Sequence, residues 1–358
     1  MIVDKRVPLE NLKEFVYDVL KNVNTYHDQA RIFADALIWS DLIGRPTHGV
    51  WRLPAYTKRM EMGLIKCPCE PVYYNPGSAA GLMDGDEGIG HYVGHEAMMQ
   101  SIERAKTHGL GAIGVHNSNH FGTGAYYVNL AAQEGMIGFA FSNSISKVAP
   151  YGGVSAVFGT NPFAFGAPRK NRQHMMLDMA TTAIAGAQVM KYAEQGKELP
   201  EGIAIDPAGT PITDPNKVGD GALLPFGGAK GYGLSLMIEV LSSVLTGAMS
   251  SSSVNSMFNN FSESGRNGHF FLALDIEHFM PLDQYFDRME FLIDEVKAAA
   301  INSGDVMIPG ETRWQVYEQS LAEGVQLDAA TVKALDSLAD QHQLGSLFQN
   351  DTLAAIHP

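Results

Sequence analysis

Within Thr47-His48-Gly49-Val50-Trp51-Arg52, an imidazole and a guanidinium stand four positions apart. Imidazole exchanges a proton near neutral pH, and a guanidinium grips a carboxylate through two parallel hydrogen bonds. That pair suits chemistry on a small acid: one group moves a hydroxyl proton while the other holds the molecule still. Thr47 adds a hydroxyl beside the imidazole. The plainer account is a satisfied loop histidine next to a surface arginine, and the residues alone leave both open.

Four further clusters have chemistry-bearing composition. His116-Asn117-Ser118-Asn119-His120-Phe121-Gly122 follows the apolar run at 110–115, the end of a strand being a common place for a site. Leu177-Asp178-Met179-Ala180-Thr181-Thr182 closes another apolar run. Its last residues could open a helix whose free N–H groups suit a phosphate or a carboxamide, or Asp178 could simply cap a helix. Pro225-Phe226-Gly227-Gly228-Ala229-Lys230-Gly231-Tyr232-Gly233 sets one cation among glycines that let backbone approach a ligand closely. Pro309-Gly310-Glu311 is a turn, informative only in company.

A fifth pattern argues against itself. Gly88, Gly90 and Gly94 spell GxGxxxG, near a dinucleotide fingerprint. That motif must follow a strand directly and open the helix of a βαβ unit. Here it follows Asp84-Gly85-Asp86-Glu87, three carboxylates that would repel a pyrophosphate. The expectation is a turn into a helix, and no Rossmann unit.

The elements that must position these clusters are read from periodicity. Two helices span residues 9–41 with a break at Asn24-Thr25, followed by a loop from Asp41 to Gly49 and a helical pattern from Val50 to Met60. A helix at 94–107 ends on Gly109, and a strand follows at Leu110–Val115. Short apolar runs to about residue 180 predict buried strands. Residues 231–247 predict a buried helix with Leu234, Met237, Ile238, Leu241 and Leu245 on its inner side. A flexible loop at 249–262, a strand at 269–276, an amphipathic helix at 283–300 carrying Phe286, Met289, Ile293 and Val296, and a helix at 329–341 capped by Asp328 complete the reading. Strands and helices without strict alternation predict an α/β fold with a mixed sheet.

Composition bounds the function. The 358 residues carry a net charge of −14, which argues against general affinity for nucleic acid or anionic membranes. An acidic protein that binds a small anion must concentrate its cations locally. No run of about 18 apolar residues predicts a membrane span, and the charged N-terminus MIVDKRVPLENLKEFV predicts no secretion signal. Cys67 and Cys69 are too few for a disulfide framework or a zinc site, which fits two thiols in a reducing, cytoplasmic setting.

The segments SDLIGRPTHGVWRLPAY, HNSNHFGTGAYY, VAPYGG, GTNPFAFGAP, LDMATT, LPFGGAKGYGLSLMIEVLSSVLTGA, NGHFFLALDI and IPGE, in that order, resemble the malate/L-lactate dehydrogenase family. The family also includes sulfolactate and ureidoglycolate dehydrogenases, diketogulonate reductase and the piperideine/pyrroline-2-carboxylate reductases. The resemblance implies a non-Rossmann nicotinamide-dependent fold. It implies proton transfer by His48 or His120, with Thr47 beside them and Arg52 on the substrate carboxylate. It further implies that Ser144, Met176, Leu177, Asp178, Met179, Ala180, Thr181, Thr182, Lys230, Gly231, Gly310, Glu311 and Thr312, together with His120, line NAD or NADP. No metal is implied, and the family's usual state is a homodimer. Many members place His-Asp-Ser where this chain has Arg45-Pro46-Thr47, which keeps the hydroxyl and adds a cation.

The resulting expectation is one family unit with discontinuous lobes: a helical region at 1–75 with His48 and Arg52, a mixed α/β region at 76–312, and a C-terminal helical region at 313–358. The expected activity interconverts a small 2-hydroxy acid and its 2-oxo acid by hydride transfer. Its alternatives are reduction of a cyclic imino acid, a ureidoglycolate-type dehydrogenase, and a catalytically silent ligand-binding relative.

Overall fold

A computed structural model describes residues 4–23, 27–75, 77–302 and 304–348. In chain order its elements are β1 (Lys5–Val7), α1 (Leu9–Asn22), α2 (His27–Leu42), α3 (Leu53–Glu61), β2 (Val72–Tyr74), β3 (Ala80–Asp84), α4 (Gly90–His108), β4 (Leu110–Ser118), α5 (Gly124–Gln133), β5 (Met136–Ser142), β6 (Phe163–Ala167), β7 (Met175–Met179), α6 (Gly186–Glu194), β8 (Ala204–Ile205), β9 (Ala222–Leu223), α7 (Ala229–Glu239), β10 (Asn267–Asp275), α8 (Leu282–Ala298), α9 (Glu311–Glu323), β11 (Val325–Leu327) and α10 (Ala329–Gln341).

Leu12, Phe15, Val16, Val19 and Leu20 bury one stripe of α1, the spacing a surface helix needs. Helix α2 runs to Leu42, so the loop begins later than Asp41. The predicted break at Asn24-Thr25 lies outside the described residues. Strand β1 pairs antiparallel with β11, and Asp328 caps α10 by accepting from the Thr331 N–H at 2.7 Å. These end segments share one core with the first helices, in which Val7, Leu12, Phe33, Leu37 and Tyr56 pack with Val325, Val332 and Leu335.

The main sheet has the order β2-β3-β4-β10-β5-β6-β7. Only β3 and β4 run parallel, and the other neighbours are antiparallel. Helix α4 connects the parallel pair, so the Gly88-Gly90-Gly94 run forms the expected turn into a helix, but within a βαβ unit that the sequence reading does not recognise. The start of α4 is nevertheless filled by protein. A Cβ at Gly90 would lie 2.1 Å from the Asn119 carbonyl oxygen, and one at Gly94 would lie 2.8 Å from the Tyr127 ring. These glycines allow the loop after β4 to pack on the helix. Helices α4 and α5 cover one face through Val93, Met98, Tyr127 and Val128 against Ile113 and Phe271. A smaller core of Val148, Phe158, Val189, Leu199, Ala204, Ile212 and Leu223 holds α6 and the β8–β9 pair, none of which the sequence reading separated.

Two expected faces are only partly met. On α7 and the wide turn that extends it over Val240–Val244, Ile238 is buried as expected and Leu234 and Leu241 are half-buried, but Met237 and Leu245 are exposed, together with Leu236, Val240 and Val244, and the other buried positions are Gly231, Ser235, Glu239, Ser242 and Ser243. The wide turn comes close to β10, where a Cβ at Gly268 would lie 1.7 Å from the Ser242 carbonyl. Glu239 also works inward, accepting from Asn161 Nδ2 at 2.7 Å and from the Ser251 N–H at 3.0 Å. On α8 only Ile293 is fully buried. The 249–262 loop is clamped rather than free, since the buried Arg59 donates to the carbonyls of Asn260 (2.6 Å) and Glu263 (2.8 Å).

Candidate active site

The chain leaves α2 through Gly44 at φ +71 and forms two single turns, Pro46–His48 and Val50–Arg52, before α3. Asp41 fixes this bend. Its Oδ2 accepts from the Val50 N–H at 2.8 Å, and a Cβ on Gly49 would collide with the carboxyl group at 2.1 Å. Burial pushes the Asp41 carboxyl well above the usual carboxylate range, against the lowering effect of the Val50 N–H. Sequence reasoning missed Asp41, because a residue inside a helix that bonds nine positions ahead leaves no local pattern.

The bend carries His48 to His120 on the loop after β4. Their rings stack with centroids 5.6 Å apart and planes 22° apart. Thr47 Oγ1 lies 3.0 Å from His48 Nδ1. On His120, Nδ1 accepts from the Gly122 N–H at 3.2 Å and lies 2.7 Å from the Tyr56 hydroxyl. A backbone N–H can only donate, so neutral His120 carries its proton on Nε2. Burial, followed by Arg52, depresses the pKa of both rings well below the ordinary histidine value. Both are neutral imidazoles at physiological pH.

Arg52 lies alongside. Its Nε donates to the Thr47 carbonyl at 2.5 Å, and Nη1 reaches Met257 Sδ at 3.2 Å. The adjoining Trp51 and Phe258 rings, with centroids 5.9 Å apart, lie to one side of the guanidinium at 5.8 and 5.3 Å. Among the described residues, Arg52 has no carboxylate within ion-pair distance. Its Nη edge is therefore available to an anion. Sequence reasoning did not foresee Tyr56, Met257 or Phe258 here.

Of the cluster after β4, His120 alone joins this group. His116 binds the Thr246 carbonyl and faces Asp84, Asn119 ties the loop to Glu87, Gly88 and Gly265, and Ser118 is buried against His269. Asp178 caps a helix, though not its own. Its carboxylate accepts from Thr123 Oγ1 at 2.6 Å and from the Ala125 N–H at 3.2 Å at the start of α5. Its carbonyl instead faces two cations, Arg45 at 3.1 Å and Arg313 at 3.4 Å.

The remaining expected cofactor residues divide into three groups. Met176 is buried against Ile43, Ala125 and Trp314, and Thr181 is buried with its hydroxyl on the Thr160 carbonyl, so neither side chain lines an open surface. Glu311 is occupied by Lys297 at 2.5 Å and Arg169 at 3.7 Å. Gly310, at φ +101, lets its loop pack on β7, where a Cβ would lie 2.9 Å from the Met176 nitrogen. Those three side chains and Gly310 hold the framework. Leu177, Met179, Ala180 and Thr312 are half-buried or exposed. Thr182 and Gly231 are buried as well, the Thr182 hydroxyl donating to the Ile184 carbonyl at 2.7 Å, and Ser144 is half-buried. Ser144 Oγ accepts from the Thr160 N–H at 2.9 Å, Thr182 bridges to Pro225, and the turn Gly227-Gly228, at φ +56 and +61, leads into α7. Lys230 is exposed and forms no ion pair among the described residues. A free ammonium beside a helix N-terminus and an open glycine turn fits a dinucleotide diphosphate.

The family model for malate/L-lactate dehydrogenase matches residues 7–336. The chain belongs to that family. It is 38% identical over 345 residues to a malate dehydrogenase of Pyrococcus horikoshii, covering 93% of this chain and 94% of the relative. It is 31% identical over 337 residues to a (2R)-3-sulfolactate dehydrogenase (NADP(+)) of Chromohalobacter salexigens, covering 94% and 99%. The solved sulfolactate dehydrogenase of Methanocaldococcus jannaschii superposes with a TM-score of 0.87 at 35% identity, covering 95% of this chain and 98% of the other. As a family member, the chain is an NAD(P)-dependent oxidoreductase, and its mixed-sheet fold is that of the family.

Proposed function

We propose that the protein interconverts a small 2-hydroxy acid and its 2-oxo acid at the His48–His120–Arg52 group. The observation that supports this best is Arg52: a guanidinium packed beside two adjoining aromatic rings, free of any carboxylate among the described residues, next to two stacked neutral imidazoles. NAD(P), when bound, supplies or accepts the hydride. The chain's own residues orient the acid and manage its proton.

Arg52 holds the C1 carboxylate through its Nη edge. His120 presents Nε2–H as a fixed hydrogen-bond donor to the substrate oxygen, because Gly122 occupies Nδ1. His48 has no such constraint, since the Thr47 hydroxyl can donate to or accept from its Nδ1. His48 therefore takes the hydroxyl proton in oxidation and returns it in reduction. Lys230 and the turn before α7 hold the dinucleotide diphosphate. The exposed apolar face of α7 supports a homodimer. A count of only two cysteines supports a cytoplasmic setting, and among the described residues no helix is long and apolar enough to cross a membrane.

The test is NAD(P)H consumption with oxaloacetate, pyruvate and a cyclic imino acid, in wild type, H48A and H120A. Each histidine variant should lose about 10²–10⁴-fold in turnover with a 2-oxo acid. Turnover of the imino acid alone, or full activity in both variants, would remove this reading.

A further inference from the structure

Arg45 and Arg313 come from the loop before His48 and from the first turn of α9, and they converge on one acceptor, the Asp178 carbonyl. Among the described residues neither makes an ion pair. The Asp178 carboxylate, the nearest counter-charge along the chain, is turned away onto α5. Each guanidinium has five N–H donors in a planar fork, so a single shared carbonyl leaves most of them open. Arg313 also stands at the positive end of the α9 dipole, where an acidic residue is the favourable choice. Its pKa is lowered to about 10, by burial first and then by Arg45. The pair belongs to the same site as the chemistry: the His48 N–H bonds the Arg45 carbonyl at 3.0 Å, and both cations add to the depression of His48.

We propose that Arg45 and Arg313 form a second oxyanion site that receives the distal acidic group of the substrate. This rests on the reading of Arg52 as the holder of the C1 carboxylate. Two separate cationic grips beside one proton-transfer histidine select a short 2-oxo or 2-hydroxy acid bearing a second carboxylate or a sulfonate. A monoanionic acid such as pyruvate or lactate fills only the first grip. Planar guanidiniums suit either distal group through paired N–H donors.

The experiment compares wild type, R45Q and R313Q. It measures kcat/KM for oxaloacetate and for pyruvate, and the dissociation constants of NADH and NADPH by fluorescence. Wild type should prefer oxaloacetate, and each variant should lower the oxaloacetate-to-pyruvate ratio by about tenfold to a hundredfold, the worth of a charge-assisted hydrogen bond. An unchanged ratio overturns the proposal. So does weakened NADH or NADPH binding with the ratio intact, which would assign the pair to a cofactor phosphate. Wild type inactive on every 2-oxo acid would instead be a failure of the parent reading. In that case the second site is still decided by thermal unfolding: malate should raise the wild-type Tm more than lactate does, R313Q should lose that difference, and equal shifts in wild type would overturn the second site.

Discussion

His91 offers a direct measure of how burial sets protonation beside the reacting groups. Its ring is 1% exposed, neither nitrogen has a hydrogen-bond partner, and it packs edge-on against Phe33 and Tyr56 at 4.8 and 5.1 Å. Burial, with smaller contributions from Arg52 and His269, pushes its pKa down to about 3. In the unfolded chain the ring titrates near the ordinary histidine value of about 6.5. Between those values the unfolded chain binds a proton that the folded protein refuses, so stability falls as pH drops below about 6.5. Over the interval from about pH 7.5 to about pH 5.5, this single ring costs about 1 kcal/mol. His91→Phe removes the proton difference and two orphaned nitrogens, and an aromatic ring of similar shape fits between Phe33 and Tyr56. Urea unfolding of both proteins at the two pH values should show the variant losing about 1 kcal/mol less than wild type. Asp41 acts in the opposite sense, because its raised carboxyl takes up a proton in the folded state, but both proteins carry it and the comparison cancels it. Equal acid losses would show that the His91 environment is not the dry, unpartnered one described, and would undercut the same argument for His48 and His120.

Two other substitutions probe the site. Arg52→Lys keeps the charge but loses the planar fork, so kcat/KM for a 2-oxo acid should fall about tenfold to a hundredfold while NAD(P)H affinity measured by fluorescence stays the same. Asp41→Asn preserves an acceptor for the Val50 N–H, whereas Asp41→Ala leaves that N–H unpaired. Denaturant melts should therefore show the Ala variant about 1–3 kcal/mol less stable than wild type and the Asn variant close to it.

How much of this was legible in the sequence follows from the range of the interactions. The stripe of α1, the Gly109 and Asp328 helix ends and the strands at β4, β5, β7 and β10 are set by residues close in the chain, and periodicity found them. His48, Arg52 and His120 were visible as chemically loaded loops, although nothing local showed that two of them stack. Long-range packing overrode the rest. On α7 and the turn that extends it, Met237 and Leu245 face outward although Ile238 is buried, and a hydrophobic pattern cannot report which side another element will cover. The glycines at 88–94 do sit in a βαβ unit, yet the Asn119 carbonyl fills the space a phosphate would need. Arg313 and Tyr56 escaped notice because each acquires meaning only from a partner far along the chain: the Asp178 carbonyl and the His120 ring.

The electrostatics then link binding to chemistry. After burial, the causes that depress His48 are Arg52, Arg45, His91 and Arg313, so three of the four are groups that repel its protonated form. On the proposed reading, this chain of net charge −14 gathers these cations where a small anion binds, and they add to burial in keeping His48 neutral before it arrives. An anion bound to the guanidiniums cancels that repulsion and raises the His48 pKa toward its ordinary value. On that reading the imidazole becomes a better base for the hydroxyl proton only with the substrate in place, while His120, locked by Gly122, stays a donor throughout. The proposed division of labour between two similar rings then comes down to one backbone N–H: where it points at a ring nitrogen the imidazole orients, and where it is absent the imidazole can exchange.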